Sequence, residues 1–340
     1  MKLLLIGPMT NKKDPSITGG TVVLFELLLK ELKEKKIQFD VIDVSKNNYR
    51  NPMYAYLSII IQIIKQIKNH DHISFHATAN SIIMIGPIII FLSKIFHKKT
   101  SIRKFAGNFH EIYQNTNIVK KKLIDFVIRN SSINFFETKY LVEYFSEFNE
   151  HTYWFPNVRR SEIVTIRPRQ YRKRFVYIGS ITKEKGIDEI CEVVAKLNND
   201  YILDLYGPII DQKYNEDFFK KQNINYNGSL IAIDVLKTMN KYDILLLPSY
   251  REGYPGVIIE AFSLGIPVIA TKLEGIKEMI KDKKNGLLID KKSAKQLKKA
   301  IMEINENQYS DLSKNALKSF NNYDSVQQTN LFLKRIGIDV

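Results

Sequence analysis

Glu252 and Glu260 stand in a stretch, residues 247–270, that reads LPSYREGYPGVIIEAFSLGIPVIA. The apolar run before Ser249 predicts a strand ending near Pro248. Residues 256–264 predict a helix, stopped by Gly265 in the C-cap position with Pro267 two residues later. Between strand and helix lies a loop that holds Glu252 and Gly253. In an open α/β sheet, ligands sit outside the carboxyl ends of the strands. Gly253 and Gly256 have no side chain to obstruct a ligand's approach to the backbone, and the helix start offers unpaired N–H groups to hydroxyls or anions. Loop rise plus helix rise sets the two carboxylates on the order of 10 Å apart. That span suits two hydroxyl-bearing groups of one ligand better than one shared proton. In isolation such a pair would only complement a helix dipole. The glycines, the preceding apolar strand and the Gly-x-Pro stop argue instead for a site.

The elements that must carry this loop follow from hydrophobic periodicity. Residues 2–7 predict a buried strand that ends in Gly7-Pro8. After a polar loop, Thr18-Gly19-Gly20-Thr21 leads into a helical pattern over residues 22–35. Residues 39–44, 73–75, 100–105 and 133–136 predict further strands, separated by helical stretches. A polar, proline-containing segment at 167–174 is the expected linker, and the pattern then restarts. Strands are expected at 175–179, 201–206, 243–248, 267–271 and 286–289, with helices at 186–197, 234–242 and 256–264. Alternating strands and helices argue for parallel sheets covered on both faces. The fold class is therefore α/β, with two Rossmann-like domains facing a central cleft. The expected boundaries are 1–165 for the first and 166–321 for the second, with a final helix at about 322–340 packing back on the first.

The Glu252 to Glu260 segment resembles the Glu-x7-Glu signature of glycosyltransferase family 4, the retaining GT-B enzymes, in the form found in bacterial polysaccharide synthesis. The likeness extends over most of residues 1–325. Thr18-Gly19-Gly20-Thr21 resembles the family's glycine-rich loop, and residues 177–186 (YIGSITKEKG) resemble its phosphate-binding loop. Glu274-Gly275 and Asn285-Gly286 resemble elements that follow the signature. The resemblance implies that Glu252 contacts the hydroxyls of a donor sugar and that Glu260 contacts the ribose of its nucleotide. The backbone of Gly253, Tyr254, Pro255 and Gly256 would then face the sugar. Lys185 would neutralise the diphosphate, and Gly19 and Gly20 would bring N–H groups to phosphate or acceptor. Carboxylates only accept hydrogen bonds and so suit vicinal hydroxyls, while an ammonium stabilises charge growing on a departing diphosphate. Two positions depart from the pattern. The phosphate loop reads Gly179-Ser180 where the family has Gly-Arg, which leaves Lys183 or Arg103 as the substitute cation. The N-domain histidine of the family falls at residues 105–107 here, which leaves His110 or His76 for that role.

Composition bounds the alternatives. The chain has 340 residues, 44% of them hydrophobic, enough for two packed domains and too apolar for disorder. One cysteine, Cys191, excludes an internal disulfide framework and fits a reducing compartment. No signal peptide is read at the N-terminus, and the most apolar stretch, residues 82–92, falls short of the roughly 20 residues of a membrane-spanning helix. A cytoplasmic protein is expected. The net charge is +15, and residues 1–160 hold 23 Lys and Arg against 13 Asp and Glu, or +10. Such a basic half suits an anionic partner. With the apolar stretches 55–64 and 82–92 and the clusters Lys98-Lys99 and Lys120-Lys121-Lys122, it predicts peripheral attachment to an anionic membrane surface. No Asp-x-Asp occurs, and His70-Asp-His72 is the one ligand-spaced pair, so no metal and no cofactor are expected beyond a nucleoside-diphosphate sugar as co-substrate. The expected partners are that donor and a glycan or lipid-linked acceptor. Nucleic acid is not expected, because no zinc spacing, aromatic RNA-binding motif or helix-turn-helix pattern is present. Another GT-B activity, epimerase or phosphorylase, is the alternative, followed by a non-catalytic basic membrane- or nucleic-acid-binding protein.

Overall fold

The computed structural model describes residues 1–14, 19–78, 80–161, 170–222 and 224–339. The chain divides into two compact units, Met1–Arg160 with Asp324–Val340, and Ser161–Tyr323. The linker residues 167–169 and Thr18 lie outside the described residues.

Unit 1 is built on β1 (Leu3–Gly7), β2 (Phe39–Asp43), β3 (His72–Ala77), β4 (Lys99–Lys104), β5 (Ile133–Phe136) and β6 (Thr152–Trp154), in the order β2-β1-β3-β4-β5-β6. Every pairing is parallel. Successive residues of β1 point to opposite faces, so Leu4 and Ile6 enter one core while Leu3 and Leu5 enter the other. The second of these cores also takes Phe332, Leu333 and Ile336 from the last helix, Ser325–Ile336. That helix is capped by the Asp324 side chain and ends at Gly337 with φ +88°. It is tied to helix Gly20–Glu34 by a hydrogen bond from Ser325 Oγ to buried Glu31 at 2.6 Å.

Unit 2 is built on β7 (Arg174–Ile178), β8 (Ile202–Tyr206), β9 (Asn225–Tyr226), β10 (Ile244–Leu247), β11 (Val268–Thr271) and β12 (Gly286–Ile289), again all parallel. Their order is β12-β11-β10-β7-β8-β9. Counted from the unit's first strand this is 3-2-1-4-5-6, the dinucleotide-fold order, and its direction of growth reverses between β7 and β10. Parallel strands are joined by crossovers that are usually helical, and helices Ile187–Val194, Ala232–Met239 and Gly256–Ser263 fall where the 3.6-residue pattern places them, whereas Glu216–Lys221 and Glu274–Met279 are too short to show that pattern. Helix Gly256–Ser263 is stopped by Leu264 and by Gly265 at φ +66°, a left-handed backbone that glycine adopts without strain.

Two strands are absent from the sequence reading, β6 and β9. Both are edge strands of two or three residues with a single partner each, too short to show a period. The apolar stretch 82–92 forms two short helices, Ser81–Met84 and Gly86–Ile95, with Pro87 in the first turn of the second. Among the described residues no helix is long and apolar enough to cross a membrane.

Candidate functional site

The loops that leave β7 and β10 emerge side by side at the point where unit 2's strand order reverses. After β7 the chain passes Gly179 and Ser180 into a short turn, Lys183–Lys185, then Gly186 at φ +77° opens helix Ile187–Val194. A Cβ on Gly186 would lie 2.3 Å from the carbonyl oxygen of Pro248, so glycine lets the two loops meet. They are then joined by polar contacts. The Lys185 ammonium donates to Glu252 Oε1 at 2.6 Å, with the lysine side chain 30% and the glutamate 12% exposed. Tyr250 N–H donates to the Glu184 carbonyl at 2.7 Å. The Tyr250 hydroxyl donates to both Glu189 oxygens, at 2.8 and 2.9 Å.

Tyr177, the fourth residue of β7, lies under this pair and donates to the Ser180 carbonyl at 2.7 Å. Burial, and then the charge of Glu252, hold its hydroxyl far above the ordinary range, so it stays a proton donor. Ser180 is half-buried and Lys183 exposed. On the far side of Glu252, Gly253 is half-buried, while Tyr254 and Pro255 are buried. Pro255 is the N-cap of helix Gly256–Ser263, and Glu260 lies half-buried on that helix. The helix that follows β11, Glu274–Met279, approaches so closely that a Cβ on Gly275 would lie 1.9 Å from the Gly253 oxygen. The Tyr254 hydroxyl donates to that of Tyr323 at 3.4 Å. Thus Ser180, Lys183 and Lys185 on one loop and Glu252, Gly253, Tyr254, Pro255 and Gly256 on the other share one loop cluster, with Glu260 about one turn into the helix that follows. The Tyr250–Glu189 link has no signal in the sequence, since a tyrosine in a loop and a glutamate on a helix are individually unremarkable.

The remaining candidates belong to unit 1. Gly19 is the exposed N-cap of helix Gly20–Glu34, and a Cβ on either Gly19 or Gly20 would meet nothing within 4 Å. His110 sits half-buried in helix Phe109–Gln114, its ring centroid 4.7 Å from that of Tyr140. Two expectations are corrected. Arg103 is fully buried, with its guanidinium 3.6 Å over the Phe155 ring and donating to the Pro156 carbonyl at 2.9 Å. It has no exposed surface for a phosphate, which leaves Lys183 as the nearby second cation. His76 is likewise buried, packed on Phe25 and bonded to Ser74. Burial, then the charge of Arg103, hold it well below the usual histidine range and so neutral. His76 is a core residue. Among the described residues no group of three or more His, Cys, Asp or Glu side chains could hold a metal ion.

Residues 159–319 match a family model described as glycosyl transferases group 1. The putative teichuronic acid biosynthesis glycosyltransferase TuaC of Bacillus subtilis is 34% identical over 133 residues, which is 39% of this chain and 33% of that protein. The N,N'-diacetylbacillosaminyl-diphospho-undecaprenol alpha-1,3-N-acetylgalactosaminyltransferase of Campylobacter jejuni is 31% identical over 110 residues, 32% of this chain and 29% of that protein. The match therefore spans about a third of the length of these curated relatives. Among solved structures, Anabaena Alr3699/HepE in complex with UDP superposes with a TM-score of 0.74, at 14% identity, over 99% of both chains. At that identity the likeness is one of fold, and the fold is GT-B.

Proposed function

We propose that the chain is a GT-B glycosyltransferase that moves a sugar from a nucleoside-diphosphate sugar to a hydroxyl acceptor, with its donor held by unit 2. The observation that carries this reading is the Lys185–Glu252 contact of 2.6 Å where the strand order reverses. A cation for a diphosphate and an acceptor-only carboxylate for sugar hydroxyls are here held as neighbours, each satisfying the other until a ligand bearing both groups separates them. The match of residues 159–319 to glycosyl transferases group 1 supports it, because that range takes in both loops.

In this reading Glu252 accepts from donor sugar hydroxyls and Glu260 from the ribose. Lys185, with Lys183 beside it in the turn, meets the charge that grows on the diphosphate as its bond to the anomeric carbon breaks. The acceptor oxygen bonds to that carbon from the face the diphosphate leaves, and its proton passes to the departing diphosphate. The anomeric configuration is then retained, and no carboxylate nucleophile is required. Charge neutralisation by lysine implies turnover in EDTA. His110 is the unit 1 candidate for the donor-sugar side. The names of these relatives point to teichuronic acid synthesis and, in the Campylobacter enzyme, to a diphospho-undecaprenol acceptor, which favours a surface glycan or lipid-linked acceptor here. A thermal-shift panel of nucleotides and nucleotide sugars tests the donor assignment. A nucleoside diphosphate should raise the melting temperature, because it binds only the native state. No response to any nucleotide would refute it.

A specific surface favours placement at the cytoplasmic face of a membrane. Helix Pro52–Gln66 buries Ala55, Ile59 and Ile63 while exposing Met53, Leu57, Ile61 and Ile64. Phe91 and Ile95, on helix Gly86–Ile95, and Ile118 and Val119, on helix Ile118–Asn130, are also exposed. Lys94 is on the same helix as Phe91 and Ile95, with Lys98 just after it, and Lys120 and Lys122 are on the same helix as Ile118 and Val119. Each cation near an anionic surface contributes about 1 kcal/mol, fading within a Debye length. In vesicle sedimentation, binding should require anionic lipid, weaken with salt and fall when Lys120, Lys121 and Lys122 are neutralised. Equal recovery with neutral and anionic vesicles at low salt would contradict this.

A further inference from the structure

At the carboxyl end of β4 the backbone takes an uncommon turn. Ala106 has φ +100°, whereas Lys36, His97, Lys173, Lys283 and Lys292 lie at 51–59°, in the ordinary left-handed well. An alanine beyond that well is strained, and such strain persists only where the surroundings over-determine it. Here they do so through a single peptide group. Its carbonyl, that of Phe105, accepts from the Lys104 ammonium. Its N–H, that of Ala106, donates to Glu137 Oε2 at 3.0 Å. Lys104 is fully buried, with its ammonium 4.4 Å over the Phe109 ring, and Glu137, following β5, is 4% exposed. The Glu137 carbonyl is itself fixed by the Trp154 indole N–H at 3.0 Å.

Burying a cation and a carboxylate is expensive, and apolar side chains of the same volume often serve stability as well or better. Desolvation pulls Lys104 well below the usual lysine range, with Glu137 opposing it, and pushes Glu137 up against the pull of Arg103 and Lys104. What the pair supplies that apolar residues would not is the orientation of one peptide plane. That plane launches residues 107–110, and Phe109 N–H bonds back to the Ala106 carbonyl at 3.1 Å. The location is the strand end where an open α/β sheet meets its ligands.

We propose that Lys104 and Glu137 are positioning residues that clamp the Phe105–Ala106 peptide, and so hold residues 107–110, with His110, in the form used in sugar transfer. The inference rests on the transferase reading. Glu137→Met removes the acceptor at similar volume, and Lys104→Met/Glu137→Met removes both charges, so that a folded protein is available should the single variant leave Lys104 uncompensated. Hydrogen–deuterium exchange on the free protein should quicken at residues 105–110 by roughly ten- to a hundredfold, the loss of a charge-assisted hydrogen bond. With UDP-glucose as probe, kcat for UDP release should fall while KM changes little, since unit 2 is untouched. Adding Ala106→Gly should recover part of the rate, because glycine reaches positive φ without a Cβ penalty. A filler role in the core would show no such rescue. Wild-type exchange and kcat in a folded variant, or no recovery with Ala106→Gly, would overturn the proposal. If exchange responds as expected but the wild type consumes no donor of a nucleotide-sugar panel, UDP-glucose included, the transferase reading fails and the clamp stands.

Discussion

Glu252 and Glu260 share a loop and helix, and Glu252 accepts from the half-buried Lys185 ammonium at 2.6 Å. In the proposed reading they divide the donor between them, and this is separable by measurement. Glu260→Ala should weaken nucleoside diphosphate binding by about ten- to a hundredfold, from the loss of charge-assisted hydrogen bonds to the ribose. Calorimetry giving wild-type affinity would remove Glu260 from the nucleotide site. These residues are legible in the sequence because glycines and a strand-to-helix switch surround them. The pairing of Glu252 with Lys185 is not legible, since the two stand 67 positions apart and only the strand order makes β7 and β10 neighbours. Arg103 shows the converse. Its charge invites a functional reading, yet the flanking Phe105 and Phe155 hold its guanidinium in an aromatic core.

At the scale of elements, the site depends on how closely backbones pass. Gly186 abuts the Pro248 carbonyl, and Gly275 abuts that of Gly253. Gly275→Ala must push the Gly253 carbonyl aside and move the Glu252 loop. Overpacking of this kind costs about 1–3 kcal/mol, so the urea midpoint should fall and turnover with it. Gly20→Ala is the matched control, since its Cβ would enter open space, and it should leave stability unchanged or slightly raised. If the two variants melt alike, close approach does not hold this loop. Helix Gly256–Ser263 can be read from periodicity because burial repeats along it at Ile258, Ile259, Ala261 and Phe262, and strand β10 because its four residues form one unbroken buried apolar run. Edge strands β6 and β9 cannot, because pairing with one neighbour specifies them and their own side chains do not.

At the scale of the molecule, the two units differ in what the sequence discloses. Unit 2 carries the match to glycosyl transferases group 1 and the loop cluster, both in segments with short motifs. Unit 1 carries the excess positive charge, the exposed apolar helix faces and the strained Ala106, none of which has a motif. The most direct test of the central claim is proton NMR of a nucleotide-sugar panel incubated in EDTA with wild type and Glu252→Gln. One donor should be consumed by the wild type, with its anomeric configuration kept in the product. The folded variant should be slower by roughly a hundredfold, about 2.7 kcal/mol of lost transition-state stabilisation. Turnover by Glu252→Gln at the wild-type rate, or no consumption of any donor by the wild type, would contradict the account.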